Sequence, residues 1–168
     1  MSILTLADFD NGKFKISTNP EQSIDLQAQI DYVERTYLVE LLGVELYDLF
    51  VLDLLNLSLT SRFQFVFDAF TYQSTEKPTL IRSEGIKEML KAFVYFLYVR
   101  SITTSQTTVG IKRTKSDNSE NVSAIHHGIT LKYNEGIADY NAIQNYIIDN
   151  EAIYPEFLGI KKFYSHPF

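Results

Sequence analysis

The chain has no cysteine and no tryptophan. Lack of cysteine removes disulfides, thiolate metal sites and cysteine nucleophiles together, and it fits a reducing compartment. Positive charge is scarce as well. With 15 Lys and Arg against 21 Asp and Glu the formal charge is −6, which argues against a surface that grips phosphate backbones, because that grip comes from clustered basic side chains. Long apolar runs are also missing. The longest, Ala92 to Val99, is bracketed by Lys87, Glu88, Lys91 and Arg100, well short of the roughly 20 residues a membrane span needs. The opening MSILTLADFD has no basic start, long apolar region or small-residue cleavage site, so no secretory signal is expected and synthesis in the cytoplasm is.

Catalytic and ligand motifs are equally thin. The glycines Gly85, Gly110, Gly128, Gly136 and Gly159 build no phosphate loop, since no Gly-Lys-Ser/Thr or GxGxxG follows a strand. His126 and His127 are adjacent, and neighbours on a helix point about 100° apart, unlike the i, i+4 pairs that chelate metal. Glu34, Glu40, Glu45, Asp48 and Asp53 fall on amphipathic helices, where acids ordinarily form the solvated face. No catalytic residue, metal or cofactor is expected.

What the chain does have is apolar mass, with 45% hydrophobic residues in 168, enough to fill the core of one domain. Its organising stretch runs from Ser83 to Thr103. Ile86, Met89, Leu90, Phe93 and Leu97 recur at helical spacing, and the block from Phe93 to Tyr98 leaves no polar stripe, so other elements must cover this helix on nearly every side. Ser83 can cap its start and Arg100 suits its end.

Upstream, Leu4, Leu6 and Phe9, the turn Asp10-Asn11-Gly12 and the alternating Phe14 and Ile16 read as an N-terminal arm, residues 1–19, with a short strand or hairpin. Asn19-Pro20 opens a helix whose stripe is Leu26, Ile30, Val33, Tyr37 and Leu41, closed by Gly43. A second helix, Val44 to Leu55, turns back on it and carries Leu46, Leu49, Phe50 and Leu54. Thr60 or Ser61 can cap a short third helix with Phe63, Val66 and Phe67. The runs Phe70-Thr71-Tyr72 and Thr79-Leu80-Ile81 can pair as a small hairpin. Residues 103–121 are the least hydrophobic part and read as an exposed loop holding the one basic cluster, Lys112, Arg113 and Lys115. Val122 to Ile147 predicts the longest helix, and residues 151–168 an aromatic tail with Tyr154, Phe157, Phe163 and Phe168. The fold class expected is mainly α, a helical bundle around the central helix. Tyr and Phe, 11 and 12 in number, exceed what such a core needs, and the surplus suits subunit contacts.

The blocks Tyr37-Leu38-Val39-Glu40-Leu41-Leu42-Gly43-Val44-Glu45-Leu46-Tyr47, Ser83 to Leu90 continuing through Tyr95, and Asn118-Ser119-Glu120, with Leu6-Ala7-Asp8-Phe9 before them and Tyr154-Pro155-Glu156-Phe157 after, resemble phage head-tail connector proteins. The closer likeness is to small proteins of tailed phages infecting Bacteroidetes-type hosts, and it spans nearly the whole chain. The resemblance implies an all-α adaptor of the virion neck, assembled in the host cytoplasm. Such adaptors form a ring, commonly of twelve copies, between the portal protein and a downstream neck or tail protein, and DNA passes through without specific binding. Catalysis is not implied. On that reading Lys112, Arg113 and Lys115 meet acidic surfaces of neighbouring copies or the portal, while Tyr154, Phe157, Phe163 and Phe168 meet apolar ones. Alternatives are another neck or tail component, such as a completion or terminator protein, a regulatory binding module, and an enzyme using the helical carboxylates.

Overall fold

The computed structural model describes residues 2–74, 78–102, 104–107, 110–113 and 122–158, with the backbone alone at 104–107, 110–113 and 122–126. The protein is mainly helical. Five α-helices run in chain order as α1 (Pro20–Leu42), α2 (Val44–Leu55), α3 (Ser61–Phe67), α4 (Gly85–Ile102) and α5 (Val122–Asp149). Two antiparallel hairpins stand between them, β1 (Phe70–Gln73) with β2 (Leu80–Ser83) and β3 (Thr104–Thr107) with β4 (Gly110–Arg113).

Three of the helix boundaries have a clear local cause. At the start of α1 the Asn19 side chain accepts from Gln22 N at 2.9 Å while Gln22 returns the bond to Asn19 N at 3.1 Å, so two orphan amides are satisfied reciprocally. Gly43 separates α1 from α2 in one residue, at φ 74° and ψ 165°, a conformation that a side chain would strain. At the start of α4 the Ser83 hydroxyl accepts from Gly85 N at 3.0 Å, as its capping role predicts. The Asp139 carboxylate of α5 reinforces it, accepting from Ser83 Oγ at 3.0 Å and from Glu84 N at 2.7 Å.

The core is one cluster in which α4 lies between α1 and α5. Phe93 stacks on Tyr37 of α1 with centroids 4.2 Å apart and tilts against Tyr133 of α5 at 5.5 Å. Ile86, Met89, Leu90, Phe93 and Val94 are fully buried, but Tyr95, Phe96 and Leu97 are only half-buried, so α4 is covered less completely than the apolar block from Phe93 to Tyr98 predicts. A second aromatic group joins the β1–β2 hairpin to α3 and α5, with Phe65 stacked on Tyr146 at 4.5 Å and Tyr72 edge-on to it at 5.1 Å.

Two expectations give way. The N-terminal arm holds no strand among its described residues; Leu6–Phe9 is a 3-10 turn instead. Phe14 and Ile16 do alternate inward, but the arm is closed by turn bonds, Ile16 N to Phe9 O at 2.8 Å and Lys15 N to Gly12 O at 3.3 Å, and not by a ladder. Glu34 anchors its start, accepting from Leu4 N at 2.6 Å and Ser2 Oγ at 3.0 Å. The second departure concerns residues 103–121, expected as an exposed loop. Their described part pairs in register from Thr104↔Arg113 to Thr107↔Gly110. A two-stranded ribbon satisfies its backbone by the ladder itself, and Thr and Ile favour extended backbone whatever the polarity of the run.

Candidate interaction surfaces

The residues expected to meet partners divide into three groups. Lys112 and Arg113 lie on β4, opposite Ser105 and Thr104, so the hairpin holds their backbone at fixed register. Lys115, Phe163 and Phe168 lie outside the described residues. Tyr154 and Phe157 belong to the fold: Tyr154 is 0% exposed and Phe157 packs half-buried against the core. The Tyr154 hydroxyl donates to Arg62 O at 2.8 Å, and burial pushes its pKa far above the usual phenol range. Beside it Arg62 Nη1 holds Glu156 at 2.8 Å, and this bond keeps the Glu156 carboxyl below its ordinary range. Tyr154 therefore fixes where the tail leaves the bundle, a correction to its expected place at a partner surface.

A surface that sequence reasoning missed lies on α2. This helix buries Leu46 and Phe50. Around from them Val44, Val51, Leu52 and Leu55 follow the i, i+7, i+8, i+11 spacing of one helical face. Val44, Leu52, Leu55 and the following Leu57 are between 53% and 81% exposed. Single exposed leucines are ordinary, but a contiguous apolar stripe on a helix is a docking feature.

Leu57 adds an observation of a different kind. It has φ +54°, the only positive φ among described non-glycine residues. Its N–H bonds Leu54 O at 3.1 Å and the next, Ser58 N–H, bonds Asp53 O at 3.2 Å. These two bonds make the Schellman ending of a helix, in which the left-handed position is usually glycine. A leucine there is strained by about 1–2 kcal/mol, and with 81% exposure it recovers little by burial in its own subunit. Strain held at an exposed apolar residue points to a use for that side chain outside the described fold.

Among the described residues no three His, Asp or Glu side chains gather as metal ligands, and His127 is exposed. No helix among them is long and apolar enough to cross a membrane. No protein-family model, curated protein or solved structure matches the chain.

Proposed function

We propose that the protein is a head-tail connector of a tailed phage, a structural subunit that forms a ring between portal and tail and leaves a channel for DNA. The observation that carries an assembly role is the apolar face of α2 ending in the strained, exposed Leu57. The resemblance of the helix-packing blocks supplies the kind of assembly. The acidic balance supports a channel subunit, since a negative wall repels the phosphate backbone and lets DNA pass without being trapped. The basic β4 residues Lys112 and Arg113 supply the charge for contact with acidic surfaces of the portal or of a neighbouring copy.

Light scattering of the purified chain, alone and with the portal protein of the same virion, tests the reading. The expected result is a ring-sized complex on the portal. Leu52→Asp combined with Leu55→Asp should keep the melting temperature of the parent chain, because both sites are solvent-exposed, and should lose the complex. A chain that stays monomeric beside its portal, or a double variant that assembles as the parent does, overturns the proposal.

A further inference from the structure

We infer that the β3–β4 hairpin of one copy docks on the α2 face of the next, so that copies join head to tail through two different surfaces of the same chain. Charge is segregated along the sequence. From Thr36 to Ser61 the chain carries Glu40, Glu45, Asp48 and Asp53 and no basic residue, whereas from Ser101 to Ser116 it carries Lys112, Arg113 and Lys115 and no acidic one. On α2, Asp48 lies one turn from both Val44 and Leu52, so acidic and apolar residues share one face. Glu45 and Asp48 are exposed, and among the described residues neither has an ion-pair partner. Lys13, Arg62, Arg82, Lys87 and Lys91, by contrast, are already held by acids of their own fold.

The two surfaces belong to opposite ends of α4. Near the end of that helix the Tyr98 hydroxyl donates to Gln22 O, near the start of α1, at 3.3 Å, while Tyr37, further along α1, stacks on Phe93. The helices are thus antiparallel, and the end of α1, which leads through Gly43 into α2, lies toward the start of α4. β3 leaves from the other end, and the 18 residues of α4 separate the two exits by about 27 Å. The hairpin end mirrors α2 in what it exposes. Ile102, the last residue of α4, is 47% exposed, and Ile24, two residues past Gln22, is 72% exposed. Arg113 pairs in the ladder with Thr104, two residues beyond Ile102, so apolar and basic residues stand together there as apolar and acidic ones do on α2. Two α2 faces brought together would set Glu45 and Asp48 against like charges, which leaves a heterologous contact as the way this face meets a second copy. Every copy carries both halves, and repetition of such a contact closes a ring when its rotation allows.

The inference rests on the reading of α2 as an assembly face, and it is tested with no portal present, so either can fail alone. Because the chain has no cysteine, Asn56→Cys at the end of α2 and Ser105→Cys, opposite Lys112 in the ladder, put one thiol on each surface and leave the charges in place. Under mild oxidation a mixture of the two full-length variants should cross-link at least about tenfold faster than either variant alone, the discrimination expected of paired opposite charges. Glu45→Lys with Asp48→Lys in the Asn56→Cys chain should abolish that excess, and Lys112→Glu with Arg113→Glu in the Ser105→Cys chain should restore it. Restoration by the second reversal separates lost complementarity from lost folding. Equal rates in the mixture and in the single variants, a loss that Lys112→Glu and Arg113→Glu do not rescue, or a chain bearing both thiols that links within itself would each overturn the proposal. A cross-link that forms as expected in a chain that does not assemble on its portal would keep the contact and remove the connector reading.

Discussion

Gly136 of α5 lies so close to Ala92 of α4 that a β-carbon built on the glycine would stand 2.8 Å from the Ala92 Cβ and 3.1 Å from the Phe93 ring. The two helices touch backbone to side chain at this point, and the small residues are what allow it. Gly128, two turns earlier on α5, has nothing within 4 Å of the same position. Opposite outcomes follow from one substitution. Gly128→Ala should stabilise the protein by about 0.5–1 kcal/mol, the helix-propensity gain. Gly136→Ala should destabilise it by about 1–3 kcal/mol, since overpacking outweighs that gain. Denaturant midpoints compared with the parent chain check both signs.

Phe93 is where α1, α4 and α5 meet. Its ring is fully buried, stacked on Tyr37 and tilted against Tyr133. Phe93→Ala should cost about 3–5 kcal/mol, the transfer and cavity terms together. An unchanged thermal midpoint would mean that the three helices do not share this core.

Tyr154 offers a graded test of how the tail base is held. Tyr154→Phe keeps the ring and removes the hydroxyl that donates to Arg62 O, with an expected loss of about 0.5–1.5 kcal/mol. Tyr154→Ala also empties a fully buried site and should cost about 3–5 kcal/mol. If both variants melted with the parent, residues 154–157 would not be part of the cooperative unit.

Asp139 should make its own mark on the pH dependence of stability. Burial raises its pKa, partly offset by the bonds from Glu84 N and Ser83 Oγ and by the charge of Lys13, while Glu84 opposes ionisation. A carboxyl with a raised folded pKa binds its proton more tightly in the native state than in the unfolded one. Its contribution is therefore most favourable below the unfolded value of about 3.9 and declines as pH rises through the folded pKa. Asp139→Asn retains an acceptor for Ser83 and Glu84 but does not titrate. The stability of the variant relative to the parent should rise between pH 4 and pH 7, read from urea midpoints at each pH. A flat difference across that interval would mean that Asp139 keeps an ordinary pKa.

The parts of the fold legible in the sequence are those where burial alternates with exposure at a fixed period. The stripe Leu26, Ile30, Val33, Tyr37 and Leu41 of α1 could be read because polar residues mark the opposite face. On α2 that contrast fails. Leu46 and Phe50 face inward while Leu52 and Leu55 face solvent, and a helix apolar on both sides gives no periodic signal of which side is covered. Leu57 was illegible for a related reason, since only glycine or asparagine at that position would have advertised a left-handed helix end. Phe14 and Ile16 gave a strand signal because alternation reports one-sided burial. A coil strapped to the bundle satisfies it as well as a ladder does.

The strain at Leu57 can be separated from the use of its side chain. Leu57→Ala and Leu57→Gly both remove the isobutyl group, so both should weaken docking of a partner on α2 to the same degree. They differ only in what φ +54° asks of the backbone. Alanine retains the Cβ that disfavours the left-handed region, and glycine does not, which at this helix position is worth about 1 kcal/mol even after the greater freedom of glycine in the unfolded chain is counted. For a chain of this length that difference corresponds to roughly 2–4 °C in melting temperature. The glycine variant should therefore melt above the alanine variant while assembling no better. Equal melting temperatures would remove the strain from the case for α2, and assembly equal to that of the parent chain in both variants would remove Leu57 from the docking surface.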